Sequence, residues 1–170
     1  MRFIASLLAI ALIAQAGGAS AEAERIRTFG SWAMVCETKA SGEFCALSQR
    51  IVAGEGGAMV ADVFMIVRQV DGFPRSVIAI NTPSGVALDT APAFIVDGEE
   101  NATTLEWVTC VSGICRATAL LSTTRQSDLM TGAEMVIGYR GFASGEIVRF
   151  PVSLTGITAG LTELAARVVR

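Results

Sequence analysis

The stretch 105-LEWVTCVSGICRATALL-121 decides the fold, because it contains two apolar runs separated by a short gap. The first run ends at Cys110, the second starts at Cys115, and Gly113 lies in the four-residue gap between them. Alternate positions share one face on each side of the gap: Leu105, Trp107 and Thr109 before it, and Cys115, Ala117, Ala119 and Leu121 after it. Alternation on both sides of a glycine-containing gap predicts a β-hairpin.

The same alternation recurs along most of the chain and predicts about nine or ten short strands. The main ones are expected at 29–36, 45–52, 59–70, 76–80, 92–96, 105–110, 115–121, 135–139 and 148–154. Many short strands divided by turn residues indicate a mainly β fold, an antiparallel β-sandwich or barrel-like domain. Pro151 interrupts the last strand and places it at a sheet edge or a bulge. We expect residues 22–28 to be a polar leader and residues 81–85 to be a loop.

Two segments have helical features instead. Thr123 and Gln126 have the spacing of a capping box and Gly132 follows as a stop, which predicts a short helix near 124–131. Near the C-terminus, apolar residues at helical spacing predict an amphipathic helix near 158–168: Ile157, Leu161, Leu164, Ala165 and Val168. Gly160 lies inside this stripe, where a better helix former is expected.

The first 21 residues have the three parts of a secretory signal peptide. Met1-Arg2 is a short positive start, an apolar run of about a dozen residues follows, and Ala19-Ser20-Ala21 fits the A-x-A cleavage pattern. The run is shorter than the roughly 20 residues that span a bilayer. We therefore predict a signal peptide at 1–21, a single β-rich domain at 22–170, and no transmembrane segment after cleavage. We therefore expect an exported protein.

The charge pattern argues against nucleic acid as a partner. The chain has 13 basic and 16 acidic residues, a net charge of −3, and Lys39 is its only lysine. The arginines are scattered singly, whereas binding to phosphates requires a clustered basic face. We expect a protein or envelope partner, whose identity the sequence does not specify.

Four cysteines in an exported chain predict two disulfides, for which three pairings exist. We favour Cys36–Cys45 and Cys110–Cys115, because each pair is close in sequence and would join neighbouring strands. A redox role would need a C-x-x-C motif at a helix start, and neither spacing has it. The four cysteines are therefore interpreted as structural.

Catalytic chemistry is restricted by the absence of histidine. Ser-His-Asp triads, Cys-His dyads and histidine-containing metal sites are all excluded. The glycine-rich turn at 54–57 lacks a phosphate-binding pattern, and the acidic turn at 97–101 is interpreted as a solvated hairpin tip. We expect no cofactor, no metal site and no catalytic residues; paired carboxylates are the one enzymatic arrangement left open.

Six segments in order resemble the invasion-associated locus B proteins, small exported proteins of alphaproteobacteria. The segments are Phe29-Gly30-Ser31-Trp32 before Cys36, then Cys45, 83–88 (PSGVAL), 110–117 (CVSGICRA), Leu129-Met130 before Gly132, and 152–157 (VSLTGI). The resemblance implies an exported, mainly β protein of the periplasm or outer membrane, linked in some pathogenic members to entry into host cells and virulence. It supplies no catalytic residues.

Three hypotheses follow from the sequence. The favoured one is a non-enzymatic binding or structural protein that acts through protein contacts and contributes to host-cell interaction or envelope function. The alternatives are a hydrolase that uses two carboxylates in a cleft, and a carrier of a small ligand or lipid in a cavity enclosed by the β layers.

Overall fold

The computed structural model describes residues 24–40 and 42–168. They form a mainly β protein with two helices, as predicted. The strands are β1 (Glu24–Phe29), β2 (Trp32–Lys39), β3 (Gly42–Val52), β4 (Met59–Val70), β5 (Phe73–Pro83), β6 (Ala93–Val96), β7 (Thr103–Thr104), β8 (Glu106–Val111), β9 (Ile114–Leu120), β10 (Glu134–Arg140) and β11 (Ile147–Ser153). The helices are α1 (Thr123–Thr131) and α2 (Ile157–Val168).

The strands form two antiparallel sheets. The seven-stranded sheet has the order β1-β2-β3-β4-β5-β9-β8, and the four-stranded sheet has the order β11-β10-β6-β7. Most neighbours are consecutive in the chain, but β5 pairs with β9 across a long insertion that contains β6 to β8. The strand β11 is an edge strand, so Pro151 lies at a sheet edge as predicted.

Alternate residues of the strands build the core between the two layers. Met34, Leu47, Met65 and Ile78 are cross-strand neighbours on β2 to β5, and all four are fully buried. The smaller sheet contributes Phe94, Val96, Met135, Ile137, Phe150 and Val152. Each buried side chain of this size contributes roughly 1.5–3 kcal/mol by leaving water. The two sheets therefore pack with these apolar faces toward each other.

The helix α2 covers part of the larger sheet on the same side as the core. Its apolar stripe is buried, and Leu161 and Leu164 belong to the core cluster. The shorter α1 contributes Leu129. Its N-cap is Ser122, whose hydroxyl accepts a hydrogen bond from the backbone N–H of Arg125. The predicted cap at Thr123 was therefore one residue too late. Neither helix has the length and apolar character that crossing a bilayer would require.

The structure describes residues 24–28 of the predicted polar leader at 22–28. There the prediction was wrong, because Glu24–Phe29 is strand β1. This strand pairs with β2 on one side only, and such an edge position suits a polar sequence. The turn between β1 and β2 is held by residues far along the chain. Ser31 N donates to Thr155 O at 3.0 Å, and an added Cβ at Gly30 would overlap the Thr155 carbonyl.

The prediction of a loop at 81–85 was also wrong in part. The strand β5 continues to Pro83 because β9 extends the ladder as far as the pair Pro83 and Ile114. At its other end β5 begins at Phe73, and the turn consists of Asp71 and Gly72, both with positive φ. Two central residues with positive φ are typical of the tight hairpin turns that match strand twist.

Candidate binding surface

The four predicted site cysteines lie in two cross-strand pairs. Cys36 lies opposite Cys45 on β2 and β3, Cys110 lies opposite Cys115 on β8 and β9, and the sulfur atoms are bonded within each pair. Because β3, β4, β5 and β9 are successive antiparallel neighbours, the two pairs lie near opposite ends of the larger sheet. Each disulfide therefore clamps one hairpin at its own end.

The cysteines offer neither a nucleophile nor a metal site in this state. The carboxylate of Glu43 lies beside Cys36 and Cys45, and the three ligand atoms lie within 4.8 Å of one another. Metal ligation and nucleophilic attack both require a thiolate, and here both sulfur atoms are bonded to each other. The Glu43 carboxylate instead pairs with Arg167 of α2 at 2.9 Å.

The acidic turn after β6 is exposed, as expected for a solvated hairpin tip, and two of its carboxylates also make specific contacts. The Asp97 carboxylate accepts hydrogen bonds from the backbone N–H groups of Ala133 and Glu134, at 3.1 and 2.9 Å. The Glu99 carboxylate pairs with Arg125 at 2.5 Å. The turn thereby holds the junction between α1 and β10.

Glu99 and Asp128 line one groove together, but Arg125 contacts both carboxylates. Arg125 Nη1 is 2.5 Å from Glu99 Oε2 and 3.2 Å from Asp128 Oδ2. A glycosidase holds the scissile bond between its two carboxyl groups. Here the guanidinium occupies that space, so the geometry describes an ion-pair network and gives the hydrolase hypothesis no support.

The clearest surface feature is a group of exposed apolar side chains at one end of the molecule. Leu88 is 58% exposed, Val111 is 64% exposed and Phe142 is 77% exposed. Leu88 and Phe142 line a cleft of about 560 Å³ together with Val86, Ala87, Asp89 and Arg140. We call Leu88, Val111 and Phe142 the apolar end.

Backbone hydrogen bonds join the three segments that carry the apolar end. Phe142 N donates to Gly85 O at 2.7 Å, and Ala87 N donates to Arg140 O at 2.9 Å. Ser84 N donates to Gly113 O at 2.8 Å, in the turn of the hairpin that Cys110 and Cys115 close. Leu88 and Phe142 are thus presented on loops that are tied to each other, and the loop of Leu88 is tied to the disulfide-clamped hairpin in which β8 ends at Val111.

Sequence reasoning missed this surface. The expected strands leave residues 86–88 and 141–145 between strands, and the sequence assigned neither segment to a surface. A signal was present in Phe142, because a large aromatic residue between glycines in a turn has no strand face on which to be buried. The convergence of the two segments was not visible, since they are separated by more than 50 residues.

The fold and the surface together define a class: a disulfide-clamped protein of two antiparallel sheets, with a group of exposed apolar side chains at one end. The family model for invasion associated locus B protein matches residues 32–165, and the chain belongs to that family. No curated protein matched the chain.

A solved structure has the same fold. The crystal structure of invasion associated protein b from Bartonella henselae matches with a TM-score of 0.69 and 19% sequence identity. The match covers 83% of this chain and 95% of that chain. The predicted β fold and the resemblance to the family are both confirmed.

Proposed function

We propose that the protein is exported and acts as a non-enzymatic binding protein of the cell envelope or cell surface, through protein contacts made by the apolar end. The observation that carries the proposal is the exposure of Leu88 and Phe142 beside one cleft. Exposed apolar groups that cluster, rather than occur singly, mark interaction sites. Family membership supports the proposal, since the family is not one of known enzymes.

The way the apolar end is held also favours binding. A surface fixed before contact loses less conformational entropy on association than a mobile loop does. The bonds from Phe142 to Gly85 and from Ser84 to Gly113 provide this order in the free protein. Aromatic side chains near the centre of such a patch supply most of the affinity in typical interfaces.

Export and domain organisation belong to the same proposal. Residues 1–21, of which the structure describes none, are proposed as a cleaved signal peptide, and 22–170 as the exported domain. Two disulfides are stable in oxidising compartments and rare in the cytosol, so the bonded cysteines support this location. The link to invasion in the name of the Bartonella protein belongs to that protein; for this chain a role in host contact is part of the proposal only.

The proposal is tested by replacing the apolar end. The chain with Phe142→Ser and Leu88→Ser is crosslinked in its native envelope, and its partners are compared with those of the unchanged protein by mass spectrometry. We expect the main crosslinked partner to fall by roughly tenfold or more, since a central aromatic contact contributes about 2 kcal/mol or more. Folding should be retained, because exposed substitutions cost within roughly 0.5 kcal/mol.

Phe73→Ser is the matched control. Phe73 is 69% exposed and starts β5, so it lies at the opposite end of that strand from Pro83 and the apolar end. The control should leave the crosslinked partner in place. Equal capture by the unchanged protein, the control and the double variant would refute a role for the apolar end.

A further inference from the structure

A second apolar feature lies on the outer face of the smaller sheet, away from the core. It is a groove of about 320 Å³ across β6, β10 and β11, beside the segment Thr90-Ala91. Ala93 and Gly138 are cross-strand neighbours in its floor. Ile95, Val136 and Ile147 add apolar side chains around them. We call this feature the outer groove.

The small floor residues are what create the space. Gly138 does not have a positive φ, so its backbone conformation does not require glycine. An added Cβ there would make ordinary contacts, at 3.5 Å to Ile147 Cγ2 and 3.6 Å to Arg149 Cγ. A larger side chain would therefore be accommodated by the strand and would project into the groove.

Two arginines give the outer groove a positive border. Arg140 and Arg149 both line it, and Arg149 is the cross-strand neighbour of Gly138 on β11. Arg140 Nε donates to the Gly145 carbonyl at 3.2 Å, which holds its guanidinium on the loop beside the groove. Within the described residues neither arginine has a carboxylate within 4.0 Å, whereas Arg50, Arg125 and Arg167 are all paired.

The sheet itself limits what the apolar floor can bind. The backbone groups of β6 and β10 pair with each other, and those of β10 pair with β11. The floor therefore offers a peptide backbone few hydrogen bonds, although a buried peptide needs them. A hydrocarbon chain has no such groups, so apolar contact alone is sufficient for it.

We infer that the outer groove binds an anionic single-chain amphiphile, a long-chain carboxylate. The hydrocarbon lies over Ala93 and Gly138, between Ile95 and Ile147, and the carboxylate meets the guanidinium groups of Arg149 and Arg140. A guanidinium presents parallel N–H donors that match the two oxygens of a carboxylate. This site lies outside the core, which is filled by buried side chains, so it differs from the enclosed cavity of the carrier hypothesis.

The test uses dodecanoate, kept below its micelle concentration, and the purified oxidised protein in calorimetric titration. Gly138→Val should abolish measurable binding by filling the floor. Arg149→Gln should weaken binding by roughly tenfold, since it removes a charge-assisted contact at an exposed site. Thermal unfolding of each variant, followed by circular dichroism, checks that the fold is intact.

Arg116→Gln is the matched control, because Arg116 is an exposed arginine on β9 that bonds to Asn81 and lies outside the outer groove. It should bind dodecanoate like the unchanged protein. Dodecanol, which has no charge, should bind roughly tenfold more weakly than dodecanoate. Unchanged binding by Gly138→Val, or a loss in Arg116→Gln equal to that in Arg149→Gln, would overturn the site. Tighter binding of dodecyl phosphate than of dodecanoate would overturn the carboxylate assignment.

Discussion

Gly160, near the start of α2, shows how a residue that is locally unfavourable can be required by packing. Glycine in a helix interior costs about 1 kcal/mol relative to alanine. In this protein an added Cβ at Gly160 would lie 2.6 and 2.7 Å from the two terminal carbons of Leu47. Leu47 is fully buried in the core. The glycine therefore sets how closely α2 approaches β3.

We predict that Gly160→Ala destabilises the protein by roughly 1–3 kcal/mol, the usual cost of overpacking a core. Helix propensity alone predicts that this substitution raises the stability of the protein. The measurement is the denaturation midpoint and slope in urea. Ala159→Gly, at the exposed neighbouring position in α2, should destabilise by about 1 kcal/mol through propensity only. An increase in stability of Gly160→Ala would contradict the packing explanation.

Tyr139, the only tyrosine of the chain, gives a residue-level test by pH. Burial raises the pKa of its phenol above the ordinary value of 10.0. Above pH 10 the unfolded chain therefore loses this proton before the folded protein does, and the free energy of unfolding decreases as pH rises. Below that pH the phenol is protonated in both states and contributes no pH dependence.

The expected result is a phenolate absorbance titration with a midpoint above 10 in the folded protein and near 10 in denaturant. With one tyrosine, the signal belongs to Tyr139 alone. Tyr139→Phe should lose the titration and the part of the alkaline destabilisation that it causes. A folded-state midpoint at or below 10 would show that the phenol is not buried.

At the scale of elements, the segments that carry the family resemblance meet in pairs. The β1–β2 turn contacts residues 155–156, where an added Cβ at Gly156 would overlap the Phe29 carbonyl. Trp32 Nε1 also donates to Ser153 O at 2.9 Å. Residues 83–88 contact the hairpin turn at Gly113. These segments therefore fix how distant elements join, which explains why they identify the fold.

The two disulfides clamp elements in different positions, and this predicts different effects of removing them. β8 is an edge strand that pairs only with β9, whereas β2 and β3 have neighbours on both sides. Cys110→Ala with Cys115→Ala should mainly raise amide hydrogen exchange in β8. Cys36→Ala with Cys45→Ala should raise exchange across the larger sheet, because opening there requires disruption of several strands.

Each double replacement should also lower the free energy of unfolding by about 2–3 kcal/mol, as expected from closing loops of this length. The measurement is exchange detected by mass spectrometry, together with urea unfolding. Peptide mapping without reduction should first recover Cys36 linked to Cys45 and Cys110 linked to Cys115. A link between the two pairs, or equal exchange patterns in the two double variants, would contradict this assignment.

At the scale of the whole molecule, the proposed export makes a direct prediction. The mature protein should begin at Glu22, because cleavage after Ala21 fits the small-residue pattern. The intact mass of the protein from its native cells measures this, and the mass should also correspond to four oxidised cysteines. Recovery from the cytosol with Met1 present and free thiols would contradict export.

Much of the fold could be predicted from local pattern. The hairpin at Cys110 and Cys115, the strand with Pro151 at an edge and both helices were expected near their observed positions. The misses have physical causes. β1 is polar because an edge strand has one free side, and β5 extends to Pro83 because β9 supplies a partner. Neither cause is visible in the segment itself.

The candidate surfaces were predictable to a lesser degree. Phe142 in a glycine-rich turn was a visible anomaly, but Leu88 comes from another loop and Val111 from the end of β8. The outer groove depends on Ala93 lying beside Gly138, a register fixed by the pairing of β6 with β10. The sequence alone does not give this register, so two small residues in separate strands could not be recognised as the floor of one groove.

By itself, the sequence determined three features. They are the alternation that buries one face of a strand, the positions of the two helices, and the number of cysteines available for disulfides. Only the tertiary structure decided that seven strands form one sheet and four the other, that β5 pairs with β9, and that two loops and the end of β8 form the apolar end. The physical reason is that the alternation of apolar residues specifies which face of a strand is buried away from water. Backbone hydrogen bonds are alike for every partner strand, so the choice of neighbour is made by packing over the whole molecule.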